Sequence, residues 1–159
     1  MFLLITGRDC YGKRFFAVFA WSIAKKKKGV PMLSAGTTNT EEIMVSDSNT
    51  ALSMGSGTLR VFATPAMIAL MEGTAAQSVE PLLEKGQTTV GTEISIKHVS
   101  ASPVGAHIRC ESTLTEVNDR ALTFEVKAYD NAGLIGEGTH HRFIVDAAKF
   151  YKKATGKLA

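Results

Sequence analysis

The chain has almost no cysteine: Cys10 and Cys110 are its two, far apart in sequence. That number excludes a disulfide framework and a Cys-rich metal cluster, and it suits a reducing cytoplasm. There is no apolar run long enough to span a bilayer. The longest, Phe15–Ala24, is followed by Lys25–Lys28, whereas a helical span needs about 20 apolar residues and a secretory signal carries its charges first. Several catalytic signatures are also missing. No GxSxG elbow, HExxH helix or lysine-bearing phosphate loop occurs, so the common serine hydrolases, zincins and nucleotide hydrolases find no support. Strong basic charge is absent once position is considered. The net charge is +3, but residues 1–31 hold seven of the Lys/Arg and one acidic residue. The remainder is net acidic, which argues against a nucleic-acid partner.

Residues 1–31 therefore stand apart. The reading favoured here is an N-terminal extension, disordered or extraneous, ahead of a domain over residues 32–159; the rival is a membrane-surface anchor. At 159 residues the chain holds one main domain, with 45% hydrophobic residues available for a core.

What is present is organised around one helix, expected over Val61–Lys85. Thr64 suits an N-cap and Pro65 the first helical position. Met67, Ile68, Met71, Ala75, Val79 and Leu82 form one apolar stripe, and Lys85-Gly86 reads as its close. A strand over Glu41–Val45 and a short helical turn through Ala51–Met54, capped by Ser46, Asp47 and Ser48, precede it, with Gly55-Ser56-Gly57 as a mobile loop. After Gly86 come four strands: Thr88–Val99, Ala106–Val117, one marked by Leu122, Phe124, Val126 and Ala128, and Leu134–Val145. In the first of these, Val90, Thr92, Ile94, Ile96 and His98 fall on one face and Gly91 on the other. Short hairpins at Asn118-Asp119 and Asp130–Gly133 force an antiparallel sheet, and Gly136 and Gly138 mark a bulge or a close backbone approach. A short basic helix or coil follows Asp146. The result is an α+β chain, a long helix wrapped by an antiparallel sheet in the hotdog arrangement, whose free sheet edge predicts at least a dimer.

Three polar residues are out of place. Glu72 lies at the edge of the apolar stripe, either partly desolvated or reaching water. His98 shares a strand face with Ile94 and Ile96, as a core histidine or a catalytic one. Thr64 is explained by capping alone, yet a hydroxyl at a helix N-terminus, a carboxylate and a histidine on the facing sheet also make a set for acyl transfer or ester cleavage.

At these residues the sequence resembles the hotdog thioesterases related to fluoroacetyl-CoA thioesterase. The resemblance is carried by VFATPAMIALME (Val61–Glu72), VGTEISIKHVSASP (Val90–Pro103) and IGEGTHHR (Ile135–Arg142), and it runs from about Glu41 to Tyr151. It implies Thr64, Glu72 and His98 as the catalytic set, and it implies substrate contact at Gly91 through its backbone and at Arg142. It further implies acyl-CoA as substrate, no metal, no cofactor beyond the CoA of the substrate, and a homodimer with sites at the subunit interface. One feature departs from the fluoroacetate-specific enzyme, which carries a phenylalanine-bearing lid ahead of the VFAT stretch. Met54-Gly55-Ser56-Gly57-Thr58 has no aromatic there. The expectation is a general, short-chain acyl-CoA thioesterase. A non-catalytic hotdog module that only binds acyl-CoA is the alternative. A hydratase has no Asp-x-x-x-x-His pair near His98 to support it.

Overall fold

The structure, a computed structural model, describes residues 4–8, 14–18 and 32–158. The chain divides into two units, Met1–Val30 and Pro31–Ala159. In the first, strands β1 (Leu4–Arg8) and β2 (Arg14–Val18) pair antiparallel. The apolar run of the sequence thus begins in a strand, and the rest of the expected extension lies outside the described residues.

In the second unit the order is β3 (Thr38–Met44), α1 (Thr64–Val79), β4 (Gln87–His98), β5 (His107–Asn118), β6 (Ala121–Asp130), β7 (Gly133–Asp146) and α2 (Ala147–Thr155). The sheet order is β3-β5-β6-β7-β4, antiparallel throughout. Helix α1 touches all five strands, as the expected wrapping requires. Its buried side chains Met67, Met71, Ala75 and Val79 meet Ile108, Cys110 and Leu114 of β5 and Leu122, Phe124, Val126 and Ala128 of β6. Those are the period-two faces read from the sequence. Ile68 and Leu82 are half-buried at the margins of the stripe.

The helix starts one residue earlier than expected and ends sooner. Ala63 occupies the cap position with extended φ −76° and ψ 139°, and Thr64 and Pro65 are the first two helical residues. The first intrahelical bond runs from the Met67 N–H to the Ala63 carbonyl at 3.0 Å, so Thr64 is not the cap. At the far end α1 stops at Val79 and a 3-10 turn covers Glu80–Leu82. Pro81 is the cause: it has no N–H for the ladder, and its ring disfavours further α-helix. Gly86, at φ +89°, turns the chain into β4 instead of closing the helix.

The strand after the helix also departs from simple alternation. Gly91 pairs with Arg142 and Glu93 with His141, leaving Thr92 as the extra residue of a bulge. One surplus residue exchanges the faces of everything beyond it. Thr89 and Gly91 therefore share the helix-facing side with Ile94, Ile96 and His98. Val90 and Thr92 do not, contrary to the uninterrupted pattern. The first core strand begins at Thr38, three residues earlier than read, where the Asn39 amide donates to the Thr74 carbonyl at 3.2 Å. The short helical turn lies earlier than expected, as a 3-10 helix over Asp47–Asn49, and Ala51–Met54 form non-helical turns. The glycine-bearing loop beyond it is tied by Leu52 N–H to Leu59 O at 3.1 Å and Ser56 N–H to Ala51 O at 3.0 Å. The tail helix α2 is capped by Asp146, which accepts from Lys149 N. Among the described residues no helix is long and apolar enough to cross a membrane.

Candidate active site

Because Ala63 provides the cap, the Thr64 side chain is free of the helix. Its hydroxyl meets His98 Nδ1 at 2.8 Å, joining the start of α1 to the end of β4. His98 Nε2 is buried and has no hydrogen-bond partner among the described residues. The pair lines a cavity of about 350 Å³ with Ala51, Ser56, Val61 and Phe62 and the segment after His98. The N–H groups of the first helical turn, Pro65 excepted, have no intrahelical acceptor and lie at the positive end of the helix dipole. A hydroxyl, an imidazole and unpaired donors at a cavity wall can activate a nucleophile and stabilise a developing oxyanion.

Glu72 lies eight residues further along α1, about 12 Å at 1.5 Å per residue. Within one protomer its neighbours are different. Its Oε1 stands 3.8 Å from His140 Nε2, and it occupies the space over Gly91, where a Cβ would come within 2.6 Å of Oε1. The bulge in β4 turns Gly91 to this side, and the absence of a side chain there admits the carboxylate. Glu72 is itself 41% exposed.

Arg142 comes from β7 and is buried. Its Nε donates to Thr89 Oγ1 at 2.8 Å, Nη2 to the Thr89 carbonyl at 2.9 Å, and Nη1 to His140 Nε2 at 3.0 Å and to the Glu72 carbonyl at 3.4 Å. Burial lowers its guanidinium pKa and the Glu72 charge opposes that shift, but arginine remains the cation it is elsewhere. His140 is fully buried, and desolvation lowers its pKa below the ordinary imidazole value, with the Arg142 charge acting in the same direction. It is neutral at neutral pH, so its approach to Glu72 is not an ion pair.

The residues implied by the resemblance thus fall into two groups within a protomer. Thr64 and His98 are in contact; Glu72, Gly91 and Arg142 gather around His140. Sequence reasoning missed His140. Its signal was the alternation Gly136, Gly138, His140, Arg142 and Ile144, which puts a histidine and an arginine on the core face of β7. Among the described residues no group of three or more His, Cys, Asp or Glu side chains is placed to hold a metal.

Comparison with known proteins agrees with the fold and with the motifs. Residues 45–148 match the profile of the family described as FlK, fluoroacetyl-CoA-specific thioesterase. The fluoroacetyl-CoA thioesterase of Streptantibioticus cattleyicolor is 37% identical over 97 residues, covering 61% of this chain and 70% of that protein. A solved fluoroacetyl-CoA thioesterase variant in complex with acetyl-CoA superposes with a TM-score of 0.76 at 29% identity, over 80% of this chain and all of that one. A thioesterase superfamily member from Thermus thermophilus shares the fold at 22% identity and a TM-score of 0.73, over 80% of this chain and 97% of that one. The hotdog architecture and the resemblance read from VFATPAMIALME are both borne out, and the chain belongs to the fluoroacetyl-CoA-specific thioesterase family.

Proposed function

We propose that this protein is an acyl-CoA thioesterase that hydrolyses a short-chain acyl-CoA to the free acid and CoA. The observation that carries the reading is the 2.8 Å contact between Thr64 and His98 at the wall of the 350 Å³ cavity. The cavity suits a small acyl group, and pockets for small ligands begin at about this size. In this reading His98 is the general acid/base, Thr64 is the hydroxyl it activates or aligns, and the α1 N-terminus receives the oxyanion. The loop beside the cavity supplies Ala51 and Ser56 and no aromatic side chain. That favours general short acyl groups over a fluorine-selective one.

The working unit in this reading is a homodimer. Among the described residues strand β4 pairs only with β7, leaving its outer edge open to a second copy. Glu72 is half-exposed some 12 Å along the helix from Thr64, and His98 Nε2 has no partner among the described residues. Glu72 of one protomer then serves the Thr64–His98 pair of the other.

Two experiments test this. His98→Ala, assayed with a thiol reagent over a panel of acyl-CoAs, loses CoA release while remaining folded. Retained turnover rejects the assignment, and binding without thiol release from the wild type points to a module that only holds the thioester. Second, His98→Ala and Glu72→Gln chains are refolded together. If each site draws on both protomers, the mixed dimer regains one working site, about half the wild-type rate per dimer, from two inactive parents. No recovery places all three residues of a site in one chain.

A further inference from the structure

We propose that His140 is a positioning residue, whose neutral imidazole, protonated on Nδ1, fixes Arg142 and through it the Glu72 carboxylate. The proposal rests on the reading of Glu72 as part of the catalytic set, and nothing in the motif match assigns His140 a role.

The tautomer follows from the partners. His140 Nδ1 faces the Glu93 carbonyl at 2.9 Å, which can only accept. Nδ1 must therefore carry the proton. Nε2 faces Arg142 Nη1 at 3.0 Å, which can only donate, so Nε2 must be bare. A second proton on the ring would put two N–H donors, both charged, against each other in a buried site. The Glu93 carbonyl is available because it lies at the bulge, where β4 and β7 lose register. Thus the irregularity that turns Gly91 inward also supplies the acceptor that sets the imidazole.

The ring in turn completes the hold on Arg142. Thr89 takes two of the guanidinium donors and the Glu72 carbonyl a third. His140 takes a fourth and is packed on the Phe124 ring, with centroids 6.4 Å apart. The groups around the imidazole are Glu72 from α1, the Glu93 carbonyl from β4, Phe124 from β6, and Arg142 and His141 from its own strand. Glu72 is the one carboxylate named among them. Its Oε1 rests over Gly91, whose missing Cβ makes the room, and 3.8 Å from His140 Nε2, while Arg142 Nη1 donates to its backbone carbonyl. A carboxylate seated over bare backbone, with its own main chain tied to a fixed guanidinium, has a defined direction, as a catalytic group half-exposed to water needs.

Two substitutions separate positioning from mere packing. His140→Phe keeps an aromatic ring and removes both hydrogen bonds. His140→Gln offers an amide oxygen to Arg142 and an amide N–H to Glu93 at the spacing of the two ring nitrogens. For His140→Phe the expected result is a fall in kcat of about 10- to 100-fold with KM changed less than about threefold, the signature of a misaimed group. His140→Gln recovers most of it. Nitrogen NMR of the wild type shows His140 as the Nδ1–H tautomer, bare at Nε2, at neutral pH. The Arg142 Nε–H resonance moves in His140→Phe and returns in His140→Gln. An Nε2-protonated or cationic ring at neutral pH overturns the proposal. So does wild-type kcat in His140→Phe, or equal loss in both variants when both are folded. The NMR measurements need no turnover. If the wild type releases no CoA, the thioesterase reading fails, while a bare Nε2 and a responsive Arg142 still uphold the seat.

Discussion

At the scale of single residues, Gly91 carries the sharpest constraint. A methyl group on it would come within 2.6 Å of Glu72 Oε1 and 3.2 Å of His140 Cε1. Gly91→Ala therefore displaces the carboxylate, and the cost appears in turnover before stability, because Glu72 is half-exposed and has room to swing outward. We expect a kcat loss of at least about tenfold, with a melting temperature changed by only a few degrees; unchanged kcat would show that the carboxylate direction is unimportant. The family resemblance pointed to Glu72, Gly91 and Arg142, but nothing in the sequence showed them as neighbours. Gly91 was read on the face away from His98, since alternation assumes an unbroken strand. Thr64 was legible as the start of α1, with its hydroxyl read either as a cap or as part of a set with a carboxylate and a histidine on the facing sheet. The contact with His98, 34 residues away, had no local signal.

At the scale of elements, the legible features were those with a clean period. The inward faces of β5 and β6 were legible because burial alternates without a break from Ile108 to Leu114 and from Leu122 to Ala128. The helix boundaries were less secure, since a threonine before a proline fits either the cap or the first turn, and Pro81 was overlooked as a stop. The contact of α1 with β7 is close. A Cβ on Gly138 would run into the Ser95 carbonyl and Ile96 Cα of β4, backbone that cannot yield. Met67 is fully buried and packed over Gly136. Met67→Ala is expected to lose about 2–5 kcal/mol in denaturant unfolding, from lost burial and the cavity left behind. Gly138→Val should prevent stable pairing of β4 with β7, seen as loss of soluble protein or a collapsed unfolding midpoint. Near-native stability in either variant would mean that the helix sits more loosely on the sheet than these contacts require.

For the whole molecule, the buried neutral histidine makes stability depend on pH in a definite direction. His140 has a native pKa below its unfolded value near 6.5. Between the two, the unfolded chain binds a proton that the native chain refuses. Acidification from about pH 6.5 therefore favours unfolding, with a slope of up to about 1.4 kcal/mol per pH unit from this one group. Above pH 6.5 the contribution is level. Melting temperatures measured from pH 7.5 to 5 should fall in the wild type and flatten in His140→Gln, which has nothing to titrate at that position. Identical slopes would show that another group governs acid sensitivity. The hotdog architecture itself was legible from the order of one strand, one helix and four hairpin-linked strands. The proposed pairing of two copies, by contrast, rests on the β4 edge, open among the described residues, and on the half-exposed Glu72 of α1, which no single-chain periodicity encodes.

The extra residue in β4 has a consequence for how such chains can diverge. Loss of Thr92 would leave the hairpins, the core of β5 and β6 and the helix stripe untouched, yet it would turn Gly91 and Thr89 outward relative to His98. A descendant with that one-codon deletion would keep its architecture and shed its chemistry, so inheritance of the shape alone is poor testimony to inheritance of the activity.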